Sequence, residues 1–268
     1  MQVIGLCRFS YPAEGGFQVE HDDAAARAAY LYAPERIEAR FRQFETICLP
    51  GIAAQTDPDF LFLVLVGEAM PAPLRDRLER LLAPVPQARI VARPPGPHRQ
   101  VCQEVINDAR DMTEPCLMFR HDDDDAVAVT FVERLRAAAA DCAALTRAHR
   151  LVGFDWNRGW VARPTADGLR AEPSVTPYWG VAQAAAVQPG VRLTLMNFAH
   201  NRINRFMPTV TFTHEEMYVR GHNDHNDSRQ KAHVAPVELP LLDAAGEAQF
   251  RARFAIDADR VRAVFGRP

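Results

Sequence analysis

Short apolar runs alternate with segments of helical periodicity along the first half of the chain. The runs "QVIGLCRF", "FLFLVLV", "ARIVA" and "PCLMFR" are continuous, as is typical of strands buried on both faces of a parallel sheet. Between them, Ile37, Phe41, Phe44 and Ile47 recur at helical spacing, and "PLRDRLERLLAP" and "RQVCQEVINDARD" also have helical patterns. This β-α-β-α-β-α-β order predicts an α/β fold, with helices flanking a mostly parallel central sheet.

Boundary residues locate two of the helices more closely. The first helical pattern begins at Pro34, which a first helical turn tolerates, and we expect an interruption around Pro50 and Gly51. Thr130 and Glu133 in "TFVE" match a capping box, which predicts the start of a later helix.

The pattern loosens after about residue 150. "RLVGFDW" and "GWVARP" predict a hairpin joined by Asn157 and Arg158, and "LRAEPSVTPYWGVAQAAA" is strand-and-loop material. The segment "FTHEEMYVRGHNDHNDSRQK" is rich in His, Asn and Asp and poor in aliphatic residues, so we predict a ligand-lining or mobile surface loop. We expect one domain over residues 1–268, with a specialised second half.

Composition and charge limit the classes of protein to which this chain can belong. A chain of 268 residues with 48% hydrophobic content can bury a sizeable core. The formal net charge of -3 gives no global attraction for nucleic acid or anionic membrane. The five cysteines form no CxxC pair and are expected to be reduced thiols. Neither a secretory signal nor a run of roughly 20 apolar residues is visible, so we expect a cytoplasmic protein and leave peripheral membrane association open.

Four consecutive aspartates follow the strand "PCLMFR", at the end where ligands gather in parallel sheets. Adjacent carboxylates repel one another unless they are solvated or share a cation. On an extended strand end, Asp122 and Asp124 would point one way, and Asp123 and Asp125 the other. One or two carboxylates with phosphate oxygens commonly hold Mg²⁺, so the run predicts an Mn²⁺ or Mg²⁺ site for a diphosphate. A solvated acidic loop is the alternative.

Several motifs together resemble a known family. "FETICLPGIAAQTDPDF", "LVLVGEAMP" and "FRHDDDDAV" followed by "FVERL" resemble the putative rhamnosyltransferase family of bacterial glycosyltransferases, over about residues 1–150. The resemblance implies a GT-A-like nucleotide-diphospho-sugar transferase fold. It also implies metal-dependent transfer of a sugar from a nucleotide-diphospho-sugar to a saccharide, lipid or other hydroxyl acceptor. Residues 1–150 would bind the nucleotide sugar and metal, and residues 151–268 would bind the acceptor and supply a lid.

The same resemblance implies roles for the aspartates. Asp122 would meet the ribose or the donor sugar and also contact the metal, which Asp124 would ligate. Asp123 would occupy the variable middle position of the motif, and Asp125 would support the loop and the sugar hydroxyls.

Basic and aromatic candidates surround this motif in the sequence. The strand end "CRFSY" would place Arg8, Phe9 and Ser10 beside the nucleotide, and Arg99 could contact the base or sugar of the donor. Trp179, one of several aromatic residues after position 155, is a candidate platform for the acceptor sugar, with core packing as the alternative.

Transfer to a hydroxyl needs a neutralised leaving diphosphate and a base for the acceptor's proton. We predict that the base is Glu215, with Glu216 as second choice. His222 and His225 are candidates to complete the metal site, with solvated loop histidines as the alternative. Further candidate bases in the same segment are His214, Asp224 and Asp227.

Two other functions use similar residues. A phosphohydrolase or nucleotidyltransferase could use the aspartates for metal and phosphate, but "CRFSYP" after the first strand carries no aspartate pair and "SYPAEGGFQ" carries no basic residue. A non-catalytic nucleotide-sugar-binding protein is the second alternative. The aspartates do not form an EF-hand, since Val127 stands where that loop needs glycine.

Overall fold

The computed structural model describes residues 1–15, 21, 23–222 and 238–267. Within these residues the strands are β1 (Gln2–Arg8), β2 (Leu61–Gly67), β3 (Ala88–Arg93), β4 (Cys116–Asp122), β5 (Ala126–Val127), β6 (Leu151–Thr165), β7 (Gly168–Val175), β8 (Gln183–Val187) and β9 (Thr209–Gly221). The helices are α1 (Ala24–Leu31), α2 (Pro34–Gln43), α3 (Leu49–Ala53), α4 (Ala72–Leu82), α5 (His98–Ala109), α6 (Phe131–Asp141), α7 (Ala143–Ala148), α8 (Ala244–Phe254) and α9 (Ala258–Phe265). None of the helices in these ranges is long and apolar enough to cross a membrane.

One sheet runs through the described part of the chain, in the order β3-β2-β1-β4-β8-β6-β9-β5, and β7 pairs with β6. The strands β1 to β4 are mutually parallel, and helices connect β1 to β2, β2 to β3 and β3 to β4. This part confirms the α/β class that the alternating pattern predicts. The later strands join through antiparallel pairs, apart from the parallel pair of β6 and β9.

The central strands are buried on both faces. Side chains alternate along β2, so Phe62 and Val64 join the core under α2, whereas Leu63 and Leu65 pack on the opposite face under α5. Burial of each such side chain contributes about 1.5–3 kcal/mol relative to leaving it exposed. Continuous apolar runs therefore correspond to strands covered by helices on both sides.

The helix after Pro34 differs from the prediction around Pro50 and Gly51. The chain stays helical there as α3, since Pro50 lies in the first turn, and the irregularity comes earlier as a π-helical stretch, Phe44–Cys48. At Gly51, a Cβ would lie 2.5 Å from the carbonyl oxygen of Val127. Glycine at this position thus permits close approach of α3 to β5.

The predicted capping box before α6 is wrong. Thr130 does occupy the N-cap position, but its side chain makes no capping hydrogen bond. The Glu133 carboxylate instead accepts a 2.8 Å hydrogen bond from the hydroxyl of Thr56. Glu133 therefore connects α6 to the segment before β2.

Two predictions for the second half of the chain are wrong. Asn157 and Arg158 do not form a hairpin turn, because β6 continues through them and only its register with β9 shifts. Residues 212–221 of the segment predicted as a loop lie in β9, since they pair with both β6 and β5.

Candidate functional site

A polar cavity of about 260 Å³ lies at the carboxyl ends of β1 and β4. The start of α5, the end of β9 and the short helical turn His200–Arg205 complete its wall. The lining residues are Arg8, Ser10, Tyr11, Arg40, His98, Arg99, Arg120, Asp122, Asp123, Asp124, Trp179, Met196, Phe198, Ala199, His200 and Arg220. Arginine is the commonest residue type among them.

Strand register brings the first charged side chains together. Arg8 of β1 lies opposite Asp122 of β4, and alternation along β4 puts Arg120 on the same face as Asp122. Arg8 donates a 2.6 Å hydrogen bond to Oδ1 of Asp122. Oδ2 of the same carboxylate lies 3.7 Å from Arg120 and 3.6 Å from Arg220. One carboxylate thus faces three guanidinium groups.

These neighbours determine the charge of Asp122. Burial by itself would raise the pKa of this carboxyl, but Arg8, Arg120 and Arg220 together hold it well below its usual value. Asp122 is consequently ionised at neutral pH.

Arg120 is a charged residue of the cavity wall that the sequence reasoning missed. Its Nε is buried and has no hydrogen-bond partner in the described part of the chain. Burial lowers the pKa of its guanidinium, although Asp122 opposes the shift. A buried guanidinium with an unsatisfied donor favours an anionic ligand, because charge-assisted hydrogen bonds offset the desolvation of the charge.

The aspartate run forms a turn rather than the extended strand end that we predicted. The N–H of Asp125 donates to the carbonyl oxygen of Asp122 at 3.2 Å. Asp123 and Asp124 consequently share one cation, Arg40, which donates to a carboxylate oxygen of each at 3.1 Å. All three side chains are less than a tenth exposed.

Asp125 is fully buried behind the cavity and supports Arg220. Its carboxylate accepts hydrogen bonds from Arg220 at 2.8 Å and from the N–H of Gly221 at 2.9 Å. Burial raises the pKa of Asp125 to about 7, while Arg220 opposes the shift. A Cβ on Gly221 would lie 2.1 Å from the carbonyl oxygen of Asp124, so only glycine fits between this turn and β9.

Two histidines line the cavity with their tautomers fixed by their partners. Nη1 of Arg8 lies 2.9 Å from Nε2 of His98, and because arginine only donates, Nε2 accepts. Nδ1 of His200 lies 2.8 Å from the carbonyl oxygen of Tyr178, so this ring donates through Nδ1. Burial lowers both pKa values, assisted by Arg8 at His98 and by Arg120 at His200. Both rings are therefore neutral at neutral pH, and neither stood out in the sequence.

The low pKa of His98 should make the stability of the folded protein sensitive to acid. Its pKa of about 3 lies below the unfolded value near 6.5, so the unfolded chain binds more protons between these pH values. This contribution to stability is complete above pH 6.5 and is lost as the pH falls towards 3. We expect the urea midpoint to drop more between pH 7 and pH 5 in the wild type than in His98→Gln, whose amide oxygen can still accept from Arg8. Equal drops in the two proteins would contradict the assignment.

The remaining predicted nucleotide contacts divide between cavity and core. Ser10 and Arg99 line the cavity, and Ser10 has a left-handed φ of 47°. Phe9 does not line the cavity, because its ring packs against Phe41 and Phe44 with centroids 4.8 Å and 5.1 Å away. Phe9 is thus a core residue beside the site.

The two glutamates predicted as bases lie elsewhere. Glu215 pairs with Arg134 at 2.9 Å and lines a different cavity, of about 420 Å³. Glu216 accepts from Gln249 at 2.8 Å and pairs with Arg253. Neither glutamate lines the arginine-rich cavity. Both lie on strand β9, and the residue of β9 that lines this cavity is Arg220.

Neither histidine predicted as a metal ligand is among the described residues that line the cavity. His222 follows β9, where its N–H donates to the carbonyl oxygen of Ala162 at 2.8 Å, and it does not line the cavity. His225 lies outside the described residues. Across the described ranges, no three His, Cys, Asp or Glu side chains are grouped to hold a metal ion. The aspartates at the cavity all pair with arginines, so this donor set fits guanidinium partners better than a divalent cation.

The chain is similar to a known protein family and to several solved structures. A family model described as "Putative rhamnosyl transferase" matches residues 2–235. No match was found among curated proteins. The structure of S. aureus TarS 1-349 is similar with a TM-score of 0.44 and 9% identity, over 82% of this chain and 60% of that chain. Its complex with UDP-GlcNAc gives 0.43 and 10%, over 85% and 60%. A putative nucleotide-diphospho-sugar transferase from Desulfovibrio desulfuricans G20 gives 0.35 and 9%, over 83% and 82%.

Proposed function

The chain belongs to the putative rhamnosyl transferase family, and from this premise we propose that it transfers a sugar from a nucleotide-diphospho-sugar to an acceptor hydroxyl. The observation that carries the proposal is the cavity in which Arg8, Arg120 and Arg220 surround Asp122. This site lies at the carboxyl ends of parallel strands, where α/β sheets bind their ligands.

The charges of the cavity suit a diphosphate. Five arginines and three aspartates line it, so the ionised side chains leave an excess of positive charge, while His98 and His200 are neutral. Each phosphate of a nucleotide sugar carries negative charge, which increases on the leaving group as the sugar departs. Preorganised guanidinium groups stabilise such developing charge. The arginines can therefore supply the neutralisation that the sequence assigned to a cation.

Sugar recognition falls to Asp122 and Trp179 in this proposal. Asp122 is an ionised acceptor at the cavity wall, suited to hydroxyls of the ribose or of the donor sugar. Trp179 lines the same cavity and offers an aromatic face to the apolar side of a sugar ring. The sequence suggested contact with the ribose or donor sugar for Asp122 and an acceptor-sugar platform for Trp179.

A donor screen tests this function. The panel contains UDP-GlcNAc, the ligand of the TarS complex, and nucleoside diphosphate rhamnoses, since rhamnose appears in the family description. Each compound is assayed by thermal shift and by release of nucleoside diphosphate, with Mn²⁺ or with EDTA. We expect at least one nucleotide sugar to raise the Tm and to be turned over, and to bind in EDTA as well.

The two arms of the screen separate two claims. If no nucleotide sugar stabilises the protein or is consumed with Mn²⁺ or with EDTA, the proposed function is wrong. If binding and turnover occur only with Mn²⁺, the function stands and the assignment of the diphosphate to the arginines fails. That outcome would instead support Asp122 and Asp124 as ligands of a divalent cation.

A further inference from the structure

In the imidazole of His200, Nδ1 makes a hydrogen bond to the backbone, and Nε2 is available to accept a proton. The Tyr178 carbonyl oxygen can only accept, so the Nδ1 of His200, 2.8 Å away, carries the proton and donates it. In the neutral ring, Nε2 then holds a lone pair. His200 lines the arginine-rich cavity, where a proton acceptor is needed for transfer to a hydroxyl.

A buried polar network holds His200 in place. The N–H of Tyr178 donates to both carboxylate oxygens of Asp155, at 3.2 Å and 3.0 Å, and Asp155 is completely buried. Gln183 donates to Asp155 at 3.4 Å and to the carbonyl oxygen of His200 at 3.2 Å. Tyr178 has a left-handed φ of 57°, which costs energy and persists only where surrounding contacts enforce it. A Cβ on Gly180 would lie 3.0 Å from Cγ of His200, so the ring is also packed from that side.

Charged neighbours favour the neutral form of this ring. Burial lowers the pKa of His200, and Arg120 of β4 and Arg220 of β9 lower it further, while the hydrogen bond to the Tyr178 carbonyl and the charge of Asp122 on β4 oppose them. The ring keeps its lone pair at neutral pH, because protonation would add a positive charge to a cavity already rich in arginine.

The other side chains of the cavity are less suited to accept a proton. Its arginines only donate, and Nε2 of His98 already accepts from Arg8. The aspartates at the cavity are occupied by ion pairs with arginines. Within the described lining, His200 is the histidine whose second nitrogen is not bonded to an arginine.

We propose that His200 is the general base of the transfer, in place of Glu215 and Glu216; this inference rests on the proposed function. Nε2 takes the proton of the acceptor hydroxyl while the acceptor oxygen bonds to the anomeric carbon of the donor sugar. The bond from that carbon to the diphosphate oxygen breaks, and its electron pair leaves with the nucleoside diphosphate. Water then removes the proton from Nε2. Asp155 is a positioning residue, since it holds the turn whose carbonyl oxygen fixes the ring.

The variant His200→Asn separates proton transfer from positioning. Its amide N–H can replace the Nδ1 donor to Tyr178, but the variant has no group in place of Nε2. The assay measures release of nucleoside diphosphate from a panel nucleotide sugar that the wild type consumes, with water or added acceptor. We expect kcat to fall about 10²–10⁴-fold, while donor Kd changes less than about two-fold. The exposed His149 provides the matched control, and His149→Asn should retain wild-type kcat.

A second variant tests the chemical role directly. His200→Gly opens space at the ring position, and added imidazole should restore part of the lost turnover because it supplies the missing base. Near-normal turnover in His200→Asn would overturn the proposal while leaving the proposed function intact. Joint loss of donor affinity and turnover without imidazole rescue would show a structural role and would also overturn it. A wild type that consumes no nucleotide sugar would refute both the function and the base.

Discussion

Replacing Arg40 with methionine should destabilise the folded protein by about 3–5 kcal/mol, the usual result of removing one partner from a buried ion pair. Arg40 is 7% exposed, and its guanidinium binds Asp123 and Asp124, whose side chains are 2% and 5% exposed. Methionine preserves much of the stem volume but leaves two buried carboxylates without their shared cation. The loss arises from the removal of the cation that these carboxylates share rather than from a cavity.

Urea unfolding at neutral pH measures this effect, and the chain contains a suitable control. Arg75→Met removes a solvent-accessible pair with Glu79 on α4, which should cost less than about 1 kcal/mol. Adding Asp123→Asn and Asp124→Asn to Arg40→Met should recover part of the stability, since neutral amides are less costly to bury than carboxylates. A loss in Arg40→Met no larger than that in Arg75→Met would contradict the buried-pair interpretation.

Local patterns were sufficient for the first half of the fold. A run such as "FLFLVLV" is visible without knowledge of its neighbours, because a strand covered on both faces is apolar at every position. The position of the aspartates at a strand end followed from the same reasoning, since parallel strands present their carboxyl ends at one edge. The strand, the edge and the motif were therefore predictable together.

The partners of those aspartates were not predictable, because they come from distant parts of the chain. Arg40 lies 83 positions before Asp123, and Arg220 lies 95 positions after Asp125. Four adjacent carboxylates suggested a divalent cation when considered alone. In the folded protein, guanidinium groups from α2, β1 and β9 occupy their oxygens.

Tertiary pairing also outweighed composition in the second half. The polar content of the segment from Phe212 to Lys231 suggested a loop, but residues 212–221 of it lie in β9, because they can pair with β6 on one side and β5 on the other. The strand also bears on the candidate bases. The sequence reasoning chose Glu215 and Glu216 from this segment as ionised carboxylates, whereas the strand brings Arg220 to the cavity and places both glutamates in ion pairs with other arginines.

Arg120→Met should weaken diphosphate binding about 10- to 150-fold without destabilising the ligand-free protein. A hydrogen bond involving a charged group contributes about 1.5–3 kcal/mol, which corresponds to this range of affinity. In the structure, Arg120 lies 3.7 Å from Asp122, and its buried Nε has no partner among the described residues. The guanidinium therefore has a desolvation cost that Asp122 offsets in part and that a bound anion would offset further.

In this variant the affinity for diphosphate should therefore fall while the stability of the ligand-free protein does not. Asp122 keeps its 2.6 Å hydrogen bond from Arg8, so methionine at position 120 leaves no carboxylate unpaired, and we expect an unchanged or higher urea midpoint. Calorimetric titration with inorganic pyrophosphate in EDTA gives the affinity without assuming a particular base or sugar. Arg80→Met, on the exposed face of α4, controls for loss of one positive charge far from the cavity. If Arg120→Met binds pyrophosphate as well as Arg80→Met does, Arg120 does not contact the diphosphate. If Arg120→Met instead loses several kcal/mol of stability, the guanidinium serves the fold rather than a ligand, because its unsatisfied donor would then not be the dominant cost.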